Sequence, residues 1–316
     1  MQPYPKHCSK RFLALSRFGL FAAAVAVAPF AALAQTTTLY TGSDTVYPVA
    51  EAALSAFVRG HAGYKPQIKD PGTSPGLKEL CAGRAVMSGA SRLMKAEESK
   101  ACATAGVQIT EIPVALDAVV MVVSTKNTWL KDLTLAELSK AFDPSSAGKV
   151  TSWKQIRASF PDTPLKTAGV GIKHATFGFF SESLGLNGFI RSDYKDFNNH
   201  AETAKYAAGD AAVLSFVPIG EAKAMEGQVR AVSIDFGAGA VAPGADEVAA
   251  GKYDKLSRTV YLYVNAAALA KSSPDDIAFT RMMVKDMDKF VRFVNLVPLR
   301  GLQYQENTKR LVAAGK

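Results

Sequence analysis

Three times along this chain a short apolar run enters a turn rich in Gly, Ser and Thr that opens a helical pattern, at residues 42–46, 71–77 and 171–177. Helices that follow strands through short turns must pack back onto a sheet. The repeated order therefore predicts an α/β fold with a largely parallel sheet. Thr37–Tyr40 reads as the first strand, and Val46, Val49, Ala53, Leu54 and Phe57 follow at helical spacing. Lys65–Lys69 reads as a strand and Leu77–Cys81 as the start of a helix. The valine-rich run Ile112–Ser124 has the look of a strand buried on both faces. Thr134–Phe142 is a short helix with a hydroxyl at its start, and Lys166–Gly171 is a strand leading into a helical Phe177–Leu184. Ala212–Val217, Val229–Phe236 and Arg258–Asn265 read as strands, and Asp275–Leu296 has helical periodicity. No internal repeat of fixed period is present.

The turns bear on function. Free N–H groups at a helix N-terminus attract anions, and three such turns converging would form an oxyanion cradle. The plainer reading is that every α/β protein has Gly- and Ser-containing turns between its strands and helices.

The N-terminus changes the charge arithmetic. Lys6, Lys10, Arg11 and Arg17 precede an apolar stretch, Phe18–Leu33, that ends in Ala32-Leu33-Ala34. This is the pattern of a secretory signal peptide over residues 1–34, cleaved after Ala34. Its alanines, Pro29 and short length argue against a membrane anchor. Removing it takes four cations from the 37 Lys and Arg and none of the 28 Asp and Glu, leaving +5. A balance that mildly basic gives no sign of nucleic acid. Cys8 leaves with the leader, so the processed chain keeps Cys81 and Cys102. In an oxidising compartment the simplest outcome is that they pair, since neither has a nearby His or second Cys for a metal.

Catalytic motifs fail on inspection. Gly72-Thr73-Ser74-Pro75-Gly76 has the spacing of a serine-hydrolase nucleophile elbow. The oxyanion hole there needs the N–H of the residue after the serine, and Pro75 has none. Gly237–Ala242 resembles a dinucleotide fingerprint but runs into Pro243. His61, His174 and His200 lack metal-ligand spacing, so no metal and no cofactor is expected. Trp129 and Trp153 read as core residues. The reading is that of a protein that is not an enzyme.

Thr41-Gly42-Ser43-Asp44-Thr45-Val46-Tyr47-Pro48 resembles the opening loop of the periplasmic phosphate-binding proteins of ABC transporters, the PstS-like solute-binding family. Leu80–Gly83 through Ala90-Ser91-Arg92 is similar to that family's second loop region, and Cys81 with Cys102 to its cysteine pair. Leu133–Phe142 with Thr151-Ser152-Trp153, Gly251-Lys252-Tyr253 with Leu256–Val264, and Val297-Pro298-Leu299 with Tyr304 follow in the same order. The resemblance spans nearly all of the processed chain.

It implies a two-lobed type II periplasmic-binding-protein fold with a ligand cleft at the hinge. Lobe I would be residues 35–117 plus 240–316 and lobe II 118–239, with the second crossing near 235–245. It further implies capture of an inorganic oxyanion, phosphate first, by a periplasmic monomer serving an inner-membrane ABC permease. By resemblance Thr45 and the Val46 N–H, Thr73, Ser91 with Arg92, and His174, Ala175 and Thr176 would hold the anion. Asp44, Ser74 and Lys173 stand beside them. The sequence departs from the family where His174 and Ala175 replace a Ser-Gly pair, Lys173 precedes them, Gly178 stands at a usually acidic position, and Asp44 replaces a small residue. These departures leave open another anion (arsenate, sulfate or a small phosphorylated organic) or a secreted sensor or adhesion role.

Overall fold

The computed structural model describes residues 38–314, so the leader expected at 1–34 lies outside the described residues. The first strand–turn–helix unit forms as the periodicity predicts. Thr38–Gly42 is β1, buried throughout, and Tyr47–Phe57 is α1, with Val49, Ala53 and Phe57 on its buried face. The strand expected at 65–69 is a single bridge from Ile68 to Tyr40. Pro66 has no N–H to give to a ladder, which favours an extended edge over a paired strand. Helix α2 (Thr73–Cys81) starts earlier than expected, directly at the turn, and leads to β2 (Ala85–Ala90), parallel to β1. Next comes α3 (Ala96–Thr104), whose Cys102 is disulfide-bonded to Cys81, with the Cα atoms 4.3 Å apart.

The valine-rich run becomes β3 (Ile109–Ser124), and it belongs to two cores. Its first half places Ile112, Val114 and Ala115 among Leu39, Val49, Phe57, Val260 and Phe279. Its second half, Ala118–Val123, packs with Phe142, Trp153, Phe180 and Phe216. Beyond it lie β4 (Asp132–Thr134) and α4 (Leu135–Phe142). Helix α4 starts at Thr134 because the Glu137 N–H donates to Thr134 Oγ1 at 3.1 Å while the Glu137 carboxylate accepts from the Thr134 N–H at 2.9 Å. The second core is completed by β5 (Lys166–Val170), α5 (Ala175–Ser183), β6 (Lys195–Phe197), α6 (His200–Gly209) and β7 (Val213–Pro218). The stretch expected as one strand, Val229–Phe236, breaks at Val232 into β8 (Val229–Ala231) on β3 and β9 (Ser233–Asp235) on β4, and β10 (Ala240–Val241) pairs with β9. Val248, Tyr253 and Leu256 still pack in the second core, so the chain stays with it beyond the 235–245 return read from the sequence.

The return is β11 (Ser257–Asn265), antiparallel to β3 along its length, with Arg258 opposite Asp117. The main sheet runs β1-β2-β11-β3-β7-β5-β6. It is mixed rather than largely parallel. The outer pairs β1–β2, β7–β5 and β5–β6 are parallel, and the central pairs are antiparallel because β3 and β11 carry the chain between the cores in opposite directions. The final helical stretch divides into Pro274–Lys285 and Met287–Phe293, followed by Gln303–Ala314. Among the described residues no helix is long and apolar enough to cross a membrane.

Candidate functional site

Where β3 and β11 pass between the cores, a cleft of about 780 Å³ opens. The turn after β1, the N-termini of α2 and α5, and the start of β11 line it. A glycine sets the first two of these close together. A Cβ on Gly76 would lie 2.4 Å from the Gly42 Cα, so α2 can approach the β1 turn only because Gly76 has no side chain. Gly42, at φ +121°, lies against the Gly89 backbone of β2, where a Cβ would come within 2.6 Å of the Gly89 nitrogen.

Of the residues singled out from the sequence, Asp44, Thr73, Ser74, Ser91, Arg92, Lys173, His174 and Ala175 line this cleft. Thr73 and Ser91 are buried and joined: the Ser91 N–H donates to Thr73 Oγ1 at 3.0 Å, and the two hydroxyls are 3.1 Å apart. Helix α2 has no side-chain cap at Gly72, and α5 has none at His174. The first-turn N–H groups of both helices, of which Pro75 in α2 has none, therefore lack a side-chain cap, the arrangement that attracts anions. Lys173 is exposed at the rim.

Three more of the residues singled out from the sequence do not line this cleft. Thr45 opens onto a neighbouring cavity beside Pro48 and His200. Val46 is buried, and its N–H donates to the Ser43 carbonyl at 3.2 Å. Thr176 is buried with Oγ1 3.3 Å from His200 Nε2. Arg92 reaches the cleft but is already engaged, donating to both Glu98 carboxylate oxygens at 2.8 Å and to Ser74 Oγ at 2.9 Å.

A second guanidinium in the cleft is that of Arg258, which sequence reading passed over although it opens a recognisable strand. Its side chain is 10% exposed and is 3.2 Å from the carboxylate of fully buried Asp117. It also donates to the Ala175 carbonyl at 3.3 Å and stacks 4.8 Å from the Phe179 ring centroid. One guanidinium thus ties the junction of the strands to the start of α5. Asp117 Oδ1 is buried without a hydrogen-bond partner among the described residues, and burial lifts the carboxyl above its ordinary pKa despite Arg258. The signal in the sequence was a lone acid within an apolar run.

Asp44 and His174 meet across the cleft, Oδ2 to Nδ1, at 3.5 Å. Burial works to raise the Asp44 pKa, but the His174 hydrogen bond and the charges of His200, His174 and Arg258 hold it below the ordinary value. The Asp44 hydrogen bond raises His174 against the opposing effect of burial. Burial pushes His200 down to about 4, so its imidazole is neutral. The His174 and His200 rings lie 5.7 Å apart, a proximity that their sequence spacing does not disclose.

Two cores bridged by a pair of strands, with uncapped helix ends facing a common cleft, define a solute-binding protein of the periplasmic-binding-protein class. The family described as the PBP superfamily domain matches residues 30–283, and the chain belongs to it. Protein SphX from a Synechocystis species is 31% identical over 259 residues, covering 82% of this chain and 77% of its own length. The crystal structure of a possible phosphate binding protein from Planctomyces limnophilus superposes with a TM-score of 0.70 at 26% identity, covering 89% of this chain and 99% of that one. An ABC-type phosphate transport receptor from Vibrio cholerae, 18% identical, shares the fold at a TM-score of 0.63 over 82% of this chain and 98% of its own.

Proposed function

We propose that the protein captures an inorganic oxyanion, phosphate first, between two lobes and presents it to an ABC permease at the inner membrane. The observation that carries this is the meeting, in one cleft, of two uncapped helix N-termini, the Thr73–Ser91 hydroxyl pair and the Arg258 guanidinium. The names of the relatives point the same way. Thr73, Ser91, Ala175 and Arg258 are the proposed contacts, with Ser74, Arg92 and Lys173 at the rim. Following the packing, lobe I is 38–117 with 257–314 and lobe II is 118–256, a later return than residue 240. The proposed setting is the periplasm, after cleavage at Ala34, and the proposed working form is a monomer that carries out no reaction.

Ligands that bind the folded state alone raise its melting temperature, and saturation to a hundred times Kd adds about 2.7 kcal/mol. A thermal-shift and calorimetry series with phosphate, arsenate and sulfate should rank phosphate first. Thr73→Val, which removes one hydroxyl at nearly constant volume, should weaken phosphate at least tenfold. No stabilisation by any of the three anions would end the oxyanion reading.

A further inference from the structure

We propose that Asp44, His174 and His200 form a binding site for one divalent transition-metal ion of the Zn2+, Co2+ or Ni2+ type. They come from three separate places: the turn after β1, the residue that precedes α5, and the first residue of α6. Each offers one ligand atom, and these atoms all lie within 4.8 Å of one another.

The surroundings of the two imidazoles fit metal ligation. His174 Nε2 is 2.8 Å from the Asn198 carbonyl, which can only accept, so Nε2 carries a hydrogen; Nδ1 faces Asp44 Oδ2 at 3.5 Å, and a metal bound there would replace the proton that Nδ1 shares with that carboxylate. A backbone carbonyl on the far nitrogen is the usual device that fixes the ring of a metal-ligating histidine. His200 Nε2 lies 3.3 Å from Thr176 Oγ1. Its Nδ1 is buried with no hydrogen-bond partner among the described residues, an arrangement that calls for a partner. Two imidazoles and one carboxylate suit borderline cations, whereas Ca2+ and Mg2+ prefer all-oxygen sites.

Metal–ligand distances near 2.1 Å would bring tetrahedral donors to about 3.4 Å apart, so side-chain rotation of roughly an ångström closes the set. Three protein ligands leave at least one position open. A dication with one carboxylate keeps a positive charge, and Asp44, His174 and Arg258 line the same cleft. The open position therefore favours an anion. That last step rests on the oxyanion reading; metal binding itself does not.

The test uses tag-free protein stripped with a chelator and kept in phosphate-free buffer, titrated with Zn2+ by calorimetry. One equivalent should bind. His200→Gln should weaken it at least tenfold, while His61→Gln, a histidine stacked on Phe57 away from the cleft, should bind as wild type. Failure of wild type to bind stoichiometrically, or equal binding by His200→Gln, overturns the proposal. Should His200→Gln fail to fold, the visible spectrum of the Co2+-loaded wild type decides. Strong bands of a four- or five-coordinate ion support the site, and the weak spectrum of the hydrated ion overturns it. Phosphate titrated afterwards, with and without metal, tests the oxyanion reading separately.

Discussion

Arg258 and Asp117 face each other on β11 and β3 at the point where the chain passes from one core to the other. A buried charge left without its partner destabilises a fold by about 3–5 kcal/mol. Arg258→Met should cost an amount in that range in chemical denaturation, and adding Asp117→Asn should recover part of it by removing the stranded charge. Equal stabilities of the single and double variants would show that the pair is not coupled. A second buried arginine gives a pH signature. Arg191 donates to the carbonyls of Ala141 and Val150 and to both Asp193 carboxylate oxygens. The Arg191 hydrogen bonds to its carboxylate, with the Gly148 N–H and the Arg191 charge adding to them against the effect of burial, bring Asp193 down to about 2. Its folded pKa is below the unfolded value of about 3.9, so the stabilisation is complete above that value and is lost as pH falls through the folded one. The melting-temperature gap between wild type and Asp193→Asn should therefore hold at pH 5 and close towards pH 2. A constant gap would assign the effect to packing. The Arg258–Asp117 pair is not legible in the sequence, because a charge in an apolar run does not say which distant charge it meets. His174 and His200 show the same limit: 24 residues separate Thr176 from His200, and only the fold makes them neighbours.

At the scale of elements, the strands and helices with strong periodicity were legible. β1, α1, β3, α4, β5, β7 and β11 lie within a few residues of where the pattern places them. Those missed are short or depend on their neighbours. β2 has only Val86 as a β-branched residue, yet it is a strand because β1 and β11 pair with it on both sides. The parallel sheet expected from repeated strand–turn–helix units survives at the flanks, and the antiparallel centre follows from a long strand whose crossing role no local pattern records. The second turn shows how an element positions the site. Gly76→Ala would drive a methyl group into the Gly42 backbone and push α2 away from β1. Overpacking of this kind costs about 1–3 kcal/mol. Because Thr73 opens the same helix, the variant should also weaken phosphate binding, whereas Lys78→Ala, later on α2, should leave affinity unchanged. Lost stability with unaltered affinity would separate the helix from the anion site.

For the whole molecule, the linkage between cores decides what motion is available. The two cores share β3 and β11, and a third tie joins Leu116 to Val297 through reciprocal N–H to carbonyl bonds of 2.8 and 3.0 Å. These connections lie together beside Asp117, so bending there moves one lobe against the other without breaking either core. The cleft contacts that span the lobes are few: Asp44 with His174, and Arg258 with the Ala175 carbonyl and the Phe179 ring. The Asp44–His174 pair, partly open to solvent, is worth little in water. An anion satisfying α2 and α5 at once would tip the balance, since it binds the closed arrangement better than the open one. Small-angle scattering should therefore give a larger radius of gyration for ligand-free protein than for phosphate-saturated protein, with the difference abolished by Thr73→Val at the same phosphate concentration. Identical radii with and without bound phosphate would mean that the strands hold one rigid arrangement and that capture proceeds without hinge closure.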